Sequence, residues 1–466
     1  MKKLSWSVLI FILIVVINLI RFWNFPEWYI FDADQETLSL MVKQIVVDHK
    51  PLLIGMPTSV GGMFIGPLLV YLLAPFYQLG SMSPWSNFLF VLLGSLATTA
   101  SIYFVSSKIF SKSTGVYATV IYGLSFLITS FDRTFWNPTL MPLASIWMFY
   151  GLWRYLNDRK TIWLVLSVMA VGFMANFHFT FVFGLGFLFI SWLLFSRNFR
   201  ILLLMGLIFF IFVSPLVIFD LRHDLFITRN FLSFLSSGPE KTSNIVQSFS
   251  LLEKAMVYFS VLKATLYNHA SIILDLIVAF GLLVYSAIAV IRKNLGNKLI
   301  LIAMGVSLAV MLVNRGPFLP YYLNFVFPLW SFVLAQGLSK LNFKYAFLPI
   351  GVVVVMAAVN VPAILNSRTN LSLKYKKAIA DYIAADARGS TFKVDFIHQP
   401  GLKTGFNYLF WQATKTDLVS DVSVNTEKTY KIILPHSLVP ESELAASFGG
   451  VGVVKVPSQL QPALAE

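Results

Sequence analysis

The chain has 466 residues, of which 57% are apolar and only 12% are charged, and its mean hydropathy is +0.76. A soluble domain is about 25% charged, so this composition excludes an ordinary soluble protein and indicates an integral membrane protein. The net charge of +14 is explained by basic cytoplasmic loops, so we expect no nucleic acid partner. Because cysteine is absent, disulfides and thiolate metal sites are excluded.

The N-terminal segment predicts an uncleaved first transmembrane helix. Lys2 and Lys3 precede an apolar run over 4–20, which is longer than the roughly 7–15 residues of a signal-peptide core. The run ends at Arg21 without a small-residue cleavage site. Because Lys and Arg remain on the cytoplasmic side, we expect the N-terminus to be cytoplasmic.

Apolar runs long enough to cross a bilayer recur along the first 361 residues. The eleven predicted spans are 4–23, 84–107, 114–131, 138–153, 161–177, 179–196, 201–219, 271–291, 299–313, 321–339 and 345–361. A further run, 63–79, contains Gly66, Pro67 and Pro75, and its placement decides the topology.

If 63–79 lies at the surface instead of crossing, fourteen cations fall in short inner loops. These cations are Lys2, Lys3, Lys108, Lys112, Arg154, Arg159, Lys160, Arg197, Arg200, Arg292, Lys293, Lys298, Lys340 and Lys344. The positive-inside rule therefore predicts a multi-pass protein of the plasma membrane with eleven spans. The C-terminus is then on the outer face.

The composition changes after Val361, where a polar segment begins. The pattern predicts an amphipathic helix over Lys374–Ala387 and short strands over 393–398, 430–434 and 451–456. The predicted fold is thus an all-α polytopic membrane bundle over 1–361, with juxtamembrane helices in the first outer loop. A small soluble α/β domain over 362–466 follows it on the outer face.

Acidic residues cluster just after the first span, at Asp32, Asp34 and Glu36. A carboxylate in a partly dry pocket has a raised pKa and can act as a general base. The D-x-D-x-E triplet could also coordinate a hard cation such as Mg²⁺ or Mn²⁺, and a solvated loop whose acids face water explains the same spacing. We identify no other cofactor.

An acidic first outer loop followed by a Gly/Pro-rich apolar segment resembles the GT-C superfamily of polytopic glycosyltransferases. Within it, the chain looks most similar to the protein O-mannosyltransferase and aminoarabinose transferase group, of the glycosyltransferase family 39 type. That group carries adjacent acids and then H-P-P-L-x-x-x-L, whereas this chain has alternating acids and Ile65-Gly66-Pro67-Leu68, with Gly66 at the usual His position. Further marks are the basic turn 108–112, the polar turn 132–138 and Arg315–Tyr322.

The resemblance implies inverting transfer of a sugar from a polyprenyl-phosphate donor to an acceptor hydroxyl on a lipid, glycan or protein. The phosphate leaves without needing a proton, so one carboxylate base suffices, and we assign this role to Asp34, with Asp32 as the second candidate. Further candidate substrate contacts lie on the predicted outer face. They are Glu36, Arg133, Arg222, His223, Arg315 and Tyr321. We interpret His178, between two apolar runs, as a packing residue.

Two other functional classes fit the same composition. A transporter or flippase of lipid-linked sugars would place ionisable residues near the bilayer midplane, whereas here they collect at the outer surface. An O-antigen ligase or polymerase would depend on a long outer loop, and the connection over 220–270 leaves that alternative open.

Overall fold

The structure is a computed structural model that describes residues 5–58, 61–237, 250–267, 271–291, 294–314, 319–341, 347–388, 390–415 and 427–456. These residues form mainly α-helices and one four-stranded sheet. The helices are α1 (Trp6–Arg21), α2 (Phe25–Trp28), α3 (Ala33–Val46), α4 (Leu68–Leu79), α5 (Ser86–Ile109), α6 (Lys112–Gly123), α7 (Phe126–Arg133), α8 (Met141–Asp158), α9 (Thr161–Ala175), α10 (Phe181–Phe195), α11 (Phe199–Arg222), α12 (Phe226–Ser237), α13 (Leu251–Ala264), α14 (Ile272–Ile291), α15 (Leu295–Val313), α16 (Phe327–Leu341), α17 (Phe347–Asn366), α18 (Leu373–Asp386) and α19 (Phe406–Thr414).

Each predicted apolar run contains a helix or, for 114–131, the pair α6 and α7, whose axes differ by 69°. Among the described residues, α5, α11, α15 and α17 are each long and apolar enough to cross a membrane alone. Only 6% of the most apolar stretch of α11 is buried inside the protein, as expected for a helix that contacts lipid. A multi-pass membrane protein is therefore confirmed in outline, while the count of eleven spans stays a prediction.

The run over 63–79 forms α4, which has 12 residues. At about 1.5 Å per residue such a helix is roughly 18 Å long, which is too short for a hydrocarbon core of about 30 Å. Leu69, Val70, Leu73 and Tyr77 are buried against the rest of the protein. The placement of 63–79 at the surface stays a prediction.

Loops that the charge pattern assigns to one face do meet in the structure. The turn after α5, the start of α15 and the end of α16 line a common cavity of about 450 Å³, and the Thr114 hydroxyl donates to Ser339 Oγ at 3.1 Å. Asp34, Trp136 and His178 of predicted outer loops line another cavity together with Tyr321, the first residue of a predicted span. Loop ends that the charge pattern assigns to one face are thus close together, and their orientation in the membrane stays a prediction.

The C-terminal residues form the predicted small α/β unit. Its strands are β1 (Phe392–His398), β2 (Lys428–Leu434), β3 (Ala446–Phe448) and β4 (Val451–Val456). Their order is β1-β2-β4-β3, with β1 and β2 parallel and the other pairs antiparallel. The predicted helix is observed as α18, and α17 continues past the predicted boundary at 361 to Asn366.

The C-terminal unit is attached to the segment that follows α1. The Thr369 N–H donates to the Glu27 carbonyl at 2.8 Å, and the Leu373 N–H donates to the Tyr29 carbonyl at 2.7 Å. An isolated antiparallel bridge joins Ile30 to Ser372. The segment that follows α1 is therefore held by backbone hydrogen bonds to the C-terminal unit.

Candidate active site

The three acids of the first outer loop lie on the first turn of α3. Asp32 is the N-cap residue, and its N–H donates to Gln35 Oε1 at 2.9 Å. Acidic residues are favourable here because the N-terminal end of a helix carries partial positive charge. Successive residues turn by about 100°, so Asp32 and Glu36 share one face of α3 and Asp34 lies on the opposite face.

The first face of α3 contacts the C-terminal unit through Asp32. Its carboxylate forms an ion pair with the Lys376 ammonium. Lys376 is fully buried and also donates to the carbonyls of Phe31 at 3.0 Å and Thr404 at 3.1 Å. The charge of Asp32 is therefore compensated by a cation that α18 supplies.

Glu36 lies on the same face and is buried. Its carboxylate accepts the N–H groups of Gly405 at 2.9 Å and Tyr408 at 3.1 Å, which belong to the N-terminal end of α19. An anion is stabilised at this position by the helix dipole and the unpaired N–H groups. The Glu36 carboxylate therefore connects α3 to α19.

Asp34 opens instead into a cavity of about 290 Å³, which we call the Asp34 cavity. Its lining residues are Asp34, Met56, Pro57, Thr58, Ile65, Trp136, Asn137, His178, Phe179 and Tyr321. Asp34 is exposed to this space. Loss of hydration raises the pKa of Asp34 above its ordinary value, and the neighbouring charge of Asp32 raises it further. Asp34 thus has the surroundings of a general base.

His178 is buried in the wall of the Asp34 cavity, at the turn between α9 and α10. Its Nδ1 accepts the Thr180 N–H at 3.3 Å and lies 2.9 Å from Thr180 Oγ1. Burial lowers the pKa of His178 to about 3, so the ring is neutral near pH 7 and its proton is on Nε2. The sequence indicated only a packing role, because the long-range contacts that form the cavity are not visible in it.

Tyr321 is the second predicted site residue in this cavity. Its ring centroid lies 4.5 Å from that of Trp136 and 5.6 Å from that of His178. Trp136 and Asn137 come from the polar turn after α7, which the sequence had already marked as part of the outer face. The structure thus brings Asp34, Tyr321 and this turn together.

Arg133 has buried intramolecular partners. Its guanidinium lies 4.2 Å from the centroid of the Trp28 ring and donates to the Ile364 carbonyl at 3.4 Å and to the Ser367 hydroxyl. It is only 4% exposed and is not among the residues that line the Asp34 cavity. These contacts join α7 to the end of α17.

A buried ion pair that the sequence did not reveal connects α1 to α7. Arg21 at the end of α1 is completely buried and pairs with Asp132. The Tyr122 hydroxyl donates to the same carboxylate at 2.7 Å. The sequence contained one indication of this pair, because Arg21 and Asp132 are oppositely charged and each lies at the end of a predicted span.

Arg222 and His223 lie at the exposed end of α11 and do not line the Asp34 cavity. His223 Nδ1 donates to the Phe219 carbonyl at 2.7 Å, and the two rings stack at 4.0 Å. Phe219 also contacts Phe64 at 6.0 Å, next to the segment that borders the cavity. Arg315 lies outside the described residues.

Gly66, which stands at the usual His position of the family motif, is explained by Asn176. A Cβ at residue 66 would lie 1.9 Å from Asn176 Oδ1. This oxygen accepts the Leu68 N–H at 3.2 Å, and Asn176 Nδ2 donates to the Gly172 carbonyl at 2.9 Å. Asn176 therefore fills the space beside residue 66 and caps α4.

The acidic triplet does not converge on one point, since Asp32 and Glu36 face the C-terminal unit and Asp34 faces the cavity. Within the part of the chain that the structure describes, no group of three or more His, Asp or Glu side chains is arranged to hold a metal ion. The three carboxylates therefore do not fit a shared cation site.

Comparison with known families matches residues 65–219 to the family described as dolichyl-phosphate-mannose-protein mannosyltransferase. This match includes the turn after α7 and His178 but begins after the acidic triplet. No curated protein sequence matches the chain.

Two solved structures of ArnT from Cupriavidus metallidurans share the fold at 12% sequence identity and a TM-score of 0.61. The one bound to undecaprenyl phosphate covers 97% of this chain and 98% of its own, and the apo form covers 97% of each. The oligosaccharyltransferase of Archaeoglobus fulgidus, in complex with zinc and sulfate, has a TM-score of 0.51 at 12% identity and covers 86% of this chain and 61% of its own. The structures show a shared fold, and together with the family match over 65–219 they support the resemblance to the GT-C superfamily, of the ArnT and protein mannosyltransferase type.

Proposed function

We propose that this chain is a GT-C membrane glycosyltransferase that moves a sugar from a polyprenyl-phosphate donor to an acceptor hydroxyl on the outer face of the membrane. The observation that supports this proposal most directly is that the three acids on α3 have different surroundings. Asp32 and Glu36 are engaged by the C-terminal unit, whereas Asp34 opens into a cavity with a raised pKa.

The proposed reaction needs a single base. Asp34 takes the proton of the acceptor hydroxyl, whose oxygen attacks the anomeric carbon from the side opposite the phosphate. The bond between that carbon and the phosphate oxygen breaks, and its electron pair leaves with the phosphate. Because this leaving group is already an anion of low basicity, no general acid is required, in contrast with the pair of carboxyl groups in a glycosidase. The transfer inverts the anomeric configuration.

The cavity wall offers neutral hydrogen-bond donors to the reacting groups. We assign this role to the His178 Nε2–H, the Asn137 amide and the Tyr321 hydroxyl, all of which belong to residues lining the cavity. Neutral donors aimed at developing charge stabilise a transition state without the desolvation cost of a buried cation.

Cations at the membrane surface would then hold the lipid phosphate. Arg222, His223 and Arg315 remain our proposed phosphate contacts, because Arg222 and His223 are exposed at the outer end of α11 and Arg315 precedes Tyr321 by six residues in the sequence. To Asp32, Glu36 and Arg133 we assign positioning roles, since their contacts are with other parts of the protein.

The proposed class of donor is inferred from the proteins that this chain resembles. The similar ArnT structure is bound to undecaprenyl phosphate, and the matched family is described as using dolichyl-phosphate mannose. Both carriers are polyprenyl phosphates, so we propose this carrier class for the donor. A lipid, a glycan and a protein all offer the acceptor hydroxyl that the reaction requires.

The test compares Asp34→Asn with Asp32→Asn in purified protein, using labelled polyprenyl-phosphate sugars as donors. We expect Asp34→Asn to lower kcat by about 10²–10⁴-fold, the usual contribution of a general base, and Asp32→Asn to lower it by less than about tenfold. Thermal unfolding of both variants controls for misfolding. Equal activity of wild type and Asp34→Asn would refute the assignment, and vectorial movement of the lipid without sugar transfer would favour a flippase.

A further inference from the structure

A third cavity lies on the C-terminal unit, where the two parallel strands end. Gln399 directly follows β1, and Pro435, His436 and Ser437 directly follow β2. These residues and the connection after α17 line a space of about 400 Å³. Sheets with parallel strands bind ligands outside the carboxyl ends of those strands, and the volume falls in the range of about 300–1,000 Å³ of ligand pockets.

The backbone around this cavity is already satisfied. The Gln399 N–H donates to the Leu434 carbonyl at 3.0 Å, and the His436 N–H donates to the Gly450 carbonyl at 2.8 Å. The Gly450 N–H donates to the Asn370 carbonyl at 2.7 Å, and a Cβ at Gly450 would lie 2.9 Å from the Asn370 Cβ. The backbone of the cavity floor is therefore hydrogen-bonded and closely packed.

The side chains that line this cavity remain available to a ligand. Among the residues that the structure describes, the side chains of Asn370, Gln399 and Ser437 have no hydrogen-bond partner, and the buried Nδ1 of His436 has none either. Asn370, Gln399 and Ser437 are exposed and can be hydrated by water, whereas Nδ1 of His436 is buried, and buried polar groups are normally hydrogen-bonded. A ligand with several hydroxyl groups would replace this water and give His436 Nδ1 a partner.

The residues that line this cavity favour an uncharged ligand. None of the lining residues is Lys, Arg, Asp or Glu, whereas amide, hydroxyl and imidazole groups supply both donors and acceptors. Leu371, Leu402 and Pro435 add apolar surface. Amide and hydroxyl groups beside apolar surface match a sugar ring, which carries hydroxyl groups at its edge and C–H groups on its faces.

The position of the cavity connects it to the proposed reaction. Its wall includes Asn370 and Leu371, and the adjoining Thr369 and Ser372 pair with Glu27 and Ile30. Ile30 precedes Asp34 by four residues, a backbone reach of at most about 14 Å. We infer that this cavity binds an uncharged saccharide and thereby holds the glycan part of the acceptor on the C-terminal unit, which packs on the face of α3 opposite to Asp34. The acceptor assignment rests on the proposed function, whereas the saccharide site does not.

The binding test uses the full-length protein in nanodiscs with neutral tri- and tetrasaccharides of glucose, mannose and galactose, read by saturation-transfer NMR. We expect Gln399→Ala and His436→Ala each to weaken binding by about tenfold. Lys393→Ala is the matched control, because it changes an exposed residue at the opposite end of β1, roughly 20 Å from Gln399. Asp34→Asn should bind like wild type. Absence of binding to all of these saccharides, equal binding by Gln399→Ala, or preference for uronic acid oligomers would overturn the inference.

A kinetic test separates the acceptor from the donor as the source of the sugar. In the transfer reaction, we expect Gln399→Ala to raise KM for a glycan acceptor with kcat and the donor KM unchanged. A raised donor KM would overturn the acceptor assignment. If no transfer occurs with any donor, the proposed function fails while the binding result still decides the saccharide site.

Discussion

The two faces of α3 show how surroundings divide roles among identical functional groups. One face, which we call the docking face, presents Asp32 and Glu36 to Lys376 and to the start of α19. The other face presents Asp34 to the Asp34 cavity. The carboxylates on the docking face are occupied by an ion pair and by backbone N–H groups, whereas desolvation raises the pKa of Asp34. The docking face is therefore suited to holding α3 in place, and the cavity face is suited to proton transfer.

The largest expected effect of breaking the docking face comes from Glu36→Ala. This change leaves the buried N–H groups of Gly405 and Tyr408 without an acceptor. We expect a loss of about 2–3 kcal/mol of stability, measured by thermal unfolding, and faster proteolytic release of the C-terminal unit. Glu443→Ala, at an exposed position of the same unit, is the control. A stability of Glu36→Ala equal to that of this control would show that the docking face does not hold α3.

On the cavity side, the next largest effect is expected for Gly66→Ala. The added methyl overlaps Asn176 Oδ1, so we expect a loss of about 1–3 kcal/mol and a lowered rate of transfer. The double variant with Asn176→Ala removes the overlap, and a double-mutant cycle should show a favourable coupling energy. Additive effects of the two substitutions would contradict the packing explanation.

The sequence was sufficient for the helices because length and apolar composition are local properties. Every predicted apolar run contains helix, and β4 coincides with the predicted strand 451–456. The division of the three acids was not predicted, because it depends on α3 beginning at Ala33 with Asp32 as its N-cap. The sequence pattern presented the same acids as one cluster in an outer loop.

Roles that depend on distant partners could not be predicted from the sequence. Arg133 lies in a polar turn that suggests a phosphate contact, yet its partners Trp28 and Ser367 are 105 and 234 residues away along the chain. Glu36 is joined to Gly405 in the same way. Such pairings follow from how the C-terminal unit packs on the first outer segment, which no short motif records.

Substitutions at Asp32 and Lys376 should shift the pH dependence in opposite directions. Asp34 must be ionised to act as a base, so transfer increases as pH rises through its pKa. Asp32→Asn removes a negative charge that raises this pKa, so the acidic limb of the kcat profile should move to lower pH. Lys376→Met leaves the Asp32 charge uncompensated, so the limb should move to higher pH. We expect shifts on the order of 0.5 pH unit.

The control for this pair is Lys377→Met, which removes a neighbouring cation that pairs with Asp381 at 2.8 Å on α18 itself. It should leave the profile unchanged. Shifts of the same sign in Asp32→Asn and Lys376→Met would contradict an electrostatic coupling between the docking face and Asp34.

The smallest effect is expected for the exposed contacts between α18 and Glu27, just after α1. There Lys374 forms an ion pair with Glu27 at 2.6 Å, and the Tyr375 hydroxyl donates to the same carboxylate at 2.6 Å. These two hydrogen bonds lower the pKa of Glu27 from its ordinary value of 4.5. Because the folded pKa is lowered, this contribution to stability is present above pH 4.5 and is lost as pH falls through the folded pKa. Lys374→Ala should therefore lower the Tm only slightly at pH 7, and less still at high salt, since both groups are accessible to water. A decrease in Tm as large as that of Glu36→Ala, or one that salt does not reduce, would contradict this ranking. It would show that the Lys374–Glu27 pair holds α3 as firmly as the buried contacts do.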